Sequence, residues 1–540
     1  MLDVSHTRVS APTTLNMMQM AAAHHRAGRL REAEQIYRRV LLDEPDHADA
    51  LHGLGLLCLQ EDRGELAAAF FGRAVRANPS VGVYHYNQGE AWLMAGQAAQ
   101  AAACFRRAVE LDPDRPQPHA ALGVALGQMG CWREAIDALQ RAVELGLHRA
   151  EVYRHLADAL FNTKRAEEAE AAARRAVELD PDVAESWHVQ GQALDELDRT
   201  EEALACFRRA MQLKPGFALP HYGVGLALAR RQRLDEAAES FRQALRLRPE
   251  FPEALSGLGS LLLASGKTDE GIDHLRQAVR LRPTLRTAQA ELAHGLERAG
   301  RRQEAAEVYR RMLELWPDDP GLVFQIAALS GQEVPAAMPA AVVRGVFDRH
   351  AATFDRHLVN RLQYRVPQLL LEAVTAAGAQ PGLDVVDLGC GTGLCGELFR
   401  GLAATLVGVD LSAGMIEQAR RRALYDRLEV AEMIQALRAG PSRYDLALAA
   451  DVLCYVGDLS EVFRAVAAAL RPGALFAFSV ELHDASGWVL RPTRRYAHAA
   501  EYVREQAAIN RFEPVQTRTE TLRTEAAQDV AGLIVVLRRQ

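Results

Sequence analysis

Lysine is nearly missing from this chain: Lys164, Lys214 and Lys267 stand against sixty arginines in 540 residues. The bias is that of a GC-rich, bacterial genome, and one of its consequences is chemical. A GxxxxGK[ST] phosphate loop has no lysine available in 341–540. An excess of positive charge is missing too. In 341–540, 23 arginines balance 23 acidic residues, and the remaining 40 basic and 47 acidic residues lie in 1–340. No basic face or tail is expected, and with it no nucleic-acid partner. No apolar run reaches the length of a membrane-spanning helix. The N-terminal MLDVSHTRVSAPTTLNMM lacks a basic stretch followed by an apolar core, so neither a membrane anchor nor a secretory signal is expected. Cysteine is sparse, dispersed and odd in number, at seven, which excludes a disulfide framework and predicts a reduced, cytoplasmic setting. Aromatics make up only 6%. The abundance of Ala, Leu, Glu and Arg favours helix.

What is present is a repeat. Ala33 recurs every 34 residues as Ala67, Ala101, Ala135, Ala169, Ala203, Ala237, Gly271 and Ala305. Pro45 recurs as Pro79, Pro113, Pro181, Pro215, Pro249, Pro283 and Pro317, and fails only at Leu147. Twelve residues before each alanine position is a second small residue, from Ala21 and Gly55 to Gly259 and Ala293. Small residues at fixed places let two helices approach closely, and proline ends the second helix. Phe71, Phe105, Phe207, Phe241 and Tyr309 fill the gap between units. Nine copies over 14–319 resemble the tetratricopeptide repeat (TPR). The resemblance implies an all-α superhelix whose groove binds a peptide or another protein. His52, Tyr86, Arg154, His188 and Tyr222 are expected to face that groove and to stack on, or hydrogen-bond, an extended chain. The following position, with Gly53, Ala121, Val189 and Gly257, lacks the asparagine ladder of the repeat arm in O-linked N-acetylglucosamine transferases. Residues 320–331 read as a capping helix, and 332–341, with Pro335 and Pro339, as a short linker.

From 342 to 540 the period is lost. Apolar runs such as DVVDLGC, TLVGVDLS, LEVAEM, YDLALAADVL and ALFAFSVEL alternate with helical stretches. That alternation predicts an α/β domain with a mostly parallel sheet covered by helices on both faces. FEPVQTRTETLR and QDVAGLIVVLRRQ predict a closing antiparallel hairpin. The loop after the first strand reads VVDLGCGTGLC at 385–395, where open α/β sheets bind ligands. The dinucleotide fingerprint GxGxxG fails, because Gly389, Gly391 and Gly393 alternate and position 394 is Leu. Cys390 and Cys395, with only Cys454 elsewhere in the domain and no nearby histidine pair, do not make a zinc site, so no metal is expected.

Alternating glycines after Asp387 resemble motif I of class I S-adenosylmethionine-dependent methyltransferases, which have a Rossmann-like fold. That resemblance implies that Gly389, Cys390, Gly391 and Gly393 lie against the methionine part of the cofactor and that Asp387 orients the loop or an ammonium group. It further implies that Asp410, with Leu411, takes the ribose hydroxyls at the end of the second strand, that Met415 touches the adenine, that Glu432 and Met433 edge and cover the ring, and that Ala450 and Asp451 meet the methionine end. Across 341–540, FDRHAATFDRHLVNRLQYRVP, DVLCYVGDL and RYAHAAEYV are similar to a group of bacterial predicted methyltransferases that carry TPR repeats.

Methyl transfer from a sulfonium is an in-line displacement, so the protein chiefly aligns the acceptor and excludes water. His498 is the first candidate for a general base, with Tyr455 beside it. Phe354 and His357, from the leading helices, are candidates for a lid. Arg495, with its neighbour Arg494, and Tyr496 are candidates for acceptor contacts. The sequence predicts a TPR array over 14–319, a cap and linker over 320–341, and a methyltransferase domain over 342–540. The function expected is that of a methyltransferase whose arm recruits or orients a protein partner or substrate. The alternative is an adaptor protein with a vestigial S-adenosylmethionine-binding domain.

Overall fold

The computed structural model describes residues 13–351, 354–355, 364–438, 442–525 and 528–540. The chain divides into two compact units, Met1–Ser265 and Gly266–Gln540. No helix among the described residues is long and apolar enough to cross a membrane.

In the first unit the helices come in pairs, from Thr14–Arg26 with Leu30–Asp43 to Ala218–Arg230 with Leu234–Leu247, followed by Pro252–Ala264. Where proline fails at Leu147, the second helix stops at Glu144, and Gly146, at φ +91°, makes the turn instead. The small and bulky positions of the repeat meet directly. Phe207 is buried, and a Cβ on Gly191 of its own pair would lie 2.6 Å from its ring. One on Gly223 of the next pair would lie 2.7 Å away. Phe207, and likewise Phe241 between Gly225 and Gly257, therefore rests on two bared first helices and ties one helix pair to the next.

The side chains expected to meet a peptide are largely spent in this packing. The ring of His188 lies 5.7 Å from that of Phe207 and 5.5 Å from that of Phe217. Tyr222 is held in the same way between Phe241 and Phe251, and Tyr86 packs on Phe105. His52 lies against Phe71 and Tyr84, with Asn87 Nδ2 2.7 Å from its Nε2. Burial pushes the pKa of His52 and of His188 down to about 4, so both rings are neutral at pH 7. The reason is geometric: this position of the first helix points at the aromatic of the second.

The second unit begins with the last repeat helices, including Arg286–Arg298 and Arg302–Leu315, and with Pro320–Ser330, which is closed by Gly331 in a left-handed turn. An α/β domain follows, with strands β1 (Leu383–Leu388), β2 (Ala403–Asp410), β3 (Arg427–Val430), β4 (Tyr444–Ala449), β5 (Leu470–Leu482), β6 (Trp488–Leu490), β7 (Tyr496–His498), β8 (Phe512–Glu525) and β9 (Gln528–Arg539). Strands β3, β2, β1, β4 and β5 pair in that order, all parallel. Strand β9 runs antiparallel to β5 and to β8, which is the hairpin read from the sequence. Strand β7 extends the tip of β5, and β6 pairs with β7; neither short strand is legible as a periodic run. Neighbouring residues face opposite sides: Val385 packs with Leu370, Phe399 and Leu446, and Val386 with Phe463, Phe476 and Phe478.

Segment 332–341 is more than a tether. Met338 N donates to Tyr455 O at 2.9 Å, Gly457 N to Ala336 O at 2.7 Å, and the Tyr496 hydroxyl to Pro335 O at 2.7 Å. Arg494 adds a second tie between repeats and sheet. Its Nη2 donates to both carboxylate oxygens of Glu297 at 2.8 Å, and its Nε donates to Gln325 Oε1. Glu297 also accepts from the Tyr309 hydroxyl at 2.8 Å.

Replacing Phe207 by alanine empties a seat shared by two helix pairs and is expected to cost about 3–5 kcal/mol. Urea unfolding followed by far-UV circular dichroism checks it: the repeat transition moves to lower denaturant, and an unmoved midpoint contradicts the shared seat.

Candidate functional site

Strand β1 pairs with β2 on one side and β4 on the other, so the chain leaves its end in two directions and opens a crevice there. A cavity of about 980 Å³ lies in this crevice, lined by the loops after β1, β2 and β4 and by the preceding helix Ala340–His350.

The loop after β1 is built around left-handed glycines, with φ +67° at Gly389, +55° at Gly391 and +95° at Gly393. They serve different ends. A Cβ on Gly389 would strike Val452, whereas at Gly391 the nearest atom is Phe354 Cε1, 4.0 Å away. Gly393 does not line the cavity; it starts helix Leu394–Phe399, and a Cβ there would meet Tyr425 at 3.1 Å.

Two aspartates flank this loop. Asp410, at the end of β2, accepts from Gly391 N through Oδ2 at 2.9 Å and from Ser412 N through Oδ1 at 2.8 Å. Burial raises its pKa, and these backbone donors oppose the rise. Asp387, at the end of β1, is 1% exposed and accepts from the Tyr425 hydroxyl through Oδ2 at 2.7 Å. Its Oδ1 has no partner among the described residues. Burial pushes this carboxyl up to about 7, the Tyr425 hydroxyl opposing and the charge of Asp410 adding to the rise.

Leu411, Met415, Met433 and Ala450 line the same cavity, as do Cys390 and Cys395, whose thiols burial pushes well above their usual range. Glu432 does not line it. Its carboxylate accepts from Gln435 N at 2.9 Å and caps helix Met433–Leu437, an ordinary use of an acid before a helix.

The opposite group of candidates separates. Asp451, Tyr455, Phe354 and Arg495 line the cavity. His498 and Tyr496 do not. His498 is fully buried, its Nε2 lies 2.9 Å from Val456 O and 3.0 Å from Gly457 O, and burial pushes its pKa down to about 4. Strand β7 turns it away from the crevice, so it reaches no reacting atom there. Tyr496 instead packs on Phe324 and Trp488. Arg494 points to Glu297 and Arg495 into the cavity, the left-handed backbone of Arg494, at φ +65°, parting the two side chains. His357 lies outside the described residues.

Several lining residues carried no signal in the sequence. Arg523 and Glu525 come from β8, and Tyr364 from just before helix Val366–Ala376. Arg523 is 1% exposed and donates to Glu525 Oε1 at 2.6 Å, to Asp451 Oδ1 at 2.9 Å and to Glu481 Oε1. Asp451 itself is held in a left-handed conformation at φ +53°, its N–H donating to Ser479 Oγ at 2.9 Å.

Comparison with known proteins agrees with both halves of the chain. A methyltransferase domain model matches 358–520. Tetratricopeptide repeat models match 18–82, 120–184, and overlapping stretches from 188 to 320, with a further TPR repeat match at 89–130. The malonyl-[acyl-carrier protein] O-methyltransferase of Pseudescherichia vulneris is 29% identical over 187 residues, 33% of this chain and 66% of that one. The ubiquinone biosynthesis O-methyltransferase of Chelativorans sp. strain BNC1 is 37% identical over 103 residues, 18% of this chain and 41% of that one. The chain thus spans less than two thirds of the length of these curated relatives. Among solved structures, a thermophilic TPR protein of Thermus thermophilus is 26% identical, with a TM-score of 0.32, covering 34% of this chain and 98% of that one. The chain is a tetratricopeptide-repeat protein that carries a methyltransferase domain.

Proposed function

We propose that the protein is an S-adenosylmethionine-dependent methyltransferase and that its repeats recruit or orient a protein partner or substrate. The observation that carries the reading is the pair of aspartates around the glycine loop. Asp387 presents a buried oxygen with no partner among the described residues, beside bare backbone at Gly391, and this suits the ammonium group of the methionine moiety. Each oxygen of Asp410 already accepts one backbone N–H and keeps a lone pair for a ribose hydroxyl. Leu411, Met415 and Met433 supply an apolar bed for the adenine. When bound, the cofactor supplies an electrophilic methyl group and its own leaving group. The chain's part is to hold the acceptor in line and keep water out, with Phe347, Phe354 and Tyr455 as apolar walls. Of the two catalytic candidates, Tyr455 lines the cavity and His498 does not. Seven cysteines, all free thiols, support a cytoplasmic setting.

Calorimetric titration of the full-length chain with S-adenosylmethionine is expected to show one site, and Asp410→Ala to weaken it by at least tenfold. No binding by the unmutated chain removes the enzyme reading and favours the adaptor.

The affinity is also expected to depend on pH. The free Asp387 carboxyl titrates at about 7, and an ammonium group beside it favours the ionised form. Below 7, binding therefore releases a proton, and affinity rises with pH by at most about tenfold per unit until it flattens above 7. Titrations in buffers of different ionisation enthalpy measure the release. Asp387→Asn should abolish it, and an unchanged release places the titrating group elsewhere.

For the arm, lysate is incubated with labelled methyl donor and either the full chain or residues 266–540. Label on a protein only with the full chain supports recruitment; label confined to small molecules opposes a protein acceptor.

A further inference from the structure

Two guanidiniums, Arg523 buried and Arg495 half-buried, face the cavity, and they differ in what they have left to give. Arg523 donates from Nε, Nη1 and Nη2 to Glu525, Asp451 and Glu481. Glu481 is taken a second time by Arg491 Nη1 at 3.2 Å. All three carboxylates of the cluster are thereby paired. Arg495 is bound more loosely. Its Nη1 donates to Asp451 Oδ2 at 3.3 Å and to Cys454 Sγ at 3.9 Å. Its approaches to Glu481 and Glu525, at 3.6 Å and 3.7 Å, are too long for hydrogen bonds. Among the described residues, Nε and Nη2 of Arg495 have no acceptor within hydrogen-bond distance. The side chain is nonetheless only 20% exposed, lines the cavity and lies over the Tyr455 ring at 5.7 Å.

A guanidinium does not lose its proton, so the donors of Arg495 that no protein group takes are left for water or for a ligand's acceptors. The planar fork fits two oxygens of one group. Resting on the methyltransferase reading, we propose that the acceptor carries a carboxylate and that Arg495 holds it by both oxygens. Charge selects a monoanion. Asp451, Glu481 and Glu525 offset Arg491, Arg495 and Arg523, so the site has no surplus positive charge to hold a phosphate dianion. An amine is disfavoured as well, because it would displace Arg523 from carboxylates that are already paired. The remaining walls, Val343, Phe347, Phe354 and Tyr364, suit an apolar body behind the charged head. The acceptor class is therefore an acyl or aryl carboxylic acid, free or borne on a polypeptide.

The test uses the full-length chain and measures dissociation constants by ligand-observed NMR titration. The probes are benzoate and hexanoate, each beside its amide, with phenyl phosphate and the α-amide of N-acetylglutamate. At least one acid should bind tenfold or more tighter than its amide, and phenyl phosphate no tighter than benzamide. Tight binding of the glutamate derivative points to a polypeptide source, and tight binding of benzoate or hexanoate alone to a small molecule. Arg495→Gln should bring the acids down to the level of the amides, and Arg495→Lys should restore part of the difference. The proposal is overturned if no acid exceeds its amide, if phenyl phosphate binds best, or if Arg495→Gln leaves the acids unchanged. S-adenosylmethionine titrated into the same samples separates the two readings. A chain that binds it but prefers no acid loses only this proposal, and a chain that binds neither loses both. If Arg495→Gln fails to bind S-adenosylmethionine and is misfolded, Arg495→Lys decides alone, by a loss of acid binding with the amides unmoved.

Discussion

The clamp made by Asp410 is the constraint on which the site depends. One carboxylate at the end of β2 takes Gly391 N from the loop after β1 and Ser412 N from its own helix start. It thereby fixes two loops from neighbouring strands at once. Burying such a group is costly unless its acceptors are filled, and here backbone N–H groups fill them. Asp348 repeats the device one step out, accepting from Ser412 Oγ and, at 3.1 Å, from Gly414 N. Asp348 thus ties the helix Ala340–His350 to the helix start after β2, while Phe347 packs on Phe354 and Tyr455. With the glycine loop pinned in this way, Asp387 is left with one oxygen held by Tyr425 and one buried with no partner among the described residues.

The second organising feature is the split between Arg494 and Arg495. The first is spent on Glu297 and Gln325 of the last repeat helices, the second on the cavity wall. Arg494 takes φ +65° to do so, and a non-glycine residue holds that conformation only where its surroundings enforce it. The bond shared by Nη2 between both oxygens of Glu297 is such an enforcement. It places the last repeats and the acceptor side of the cavity on one short stretch of backbone. Segment 332–341, hydrogen-bonded to residues 455–457, makes a second such connection.

Much of the architecture was legible because its signals are local and periodic. Gly191 and Phe207 recur at a fixed spacing, and the spacing alone says that small meets large. The five parallel strands announced themselves as apolar runs between helices, and the closing hairpin as two more. Where periodicity gave out, so did foresight. Strands β6 and β7, of three residues each, have no period to show. His188 and Tyr222 carry polar atoms and sit at the groove position of the repeat, yet their rings are needed against Phe207, Phe217, Phe241 and Phe251. A residue's type tells what it can bond, and not which neighbour claims it first. His498 is the plainest case: a histidine after the fifth strand has the right chemistry for a base, but pairing within the sheet turned it inward.

The sequence by itself determined that helical repeats precede an α/β domain, where the glycine loop begins, and that Asp387 and Asp410 bracket it. These follow from spacing along the chain, since a strand, a turn and a helix start are all local events. Only the tertiary structure decided the acceptor side. Arg523, which also holds Glu525, reaches Asp451 across 72 residues, because β8 and β9 complete the sheet beside β5. Which of two adjacent arginines meets the ligand was likewise set by packing: Glu297 holds one, and the other is left with donors to spare.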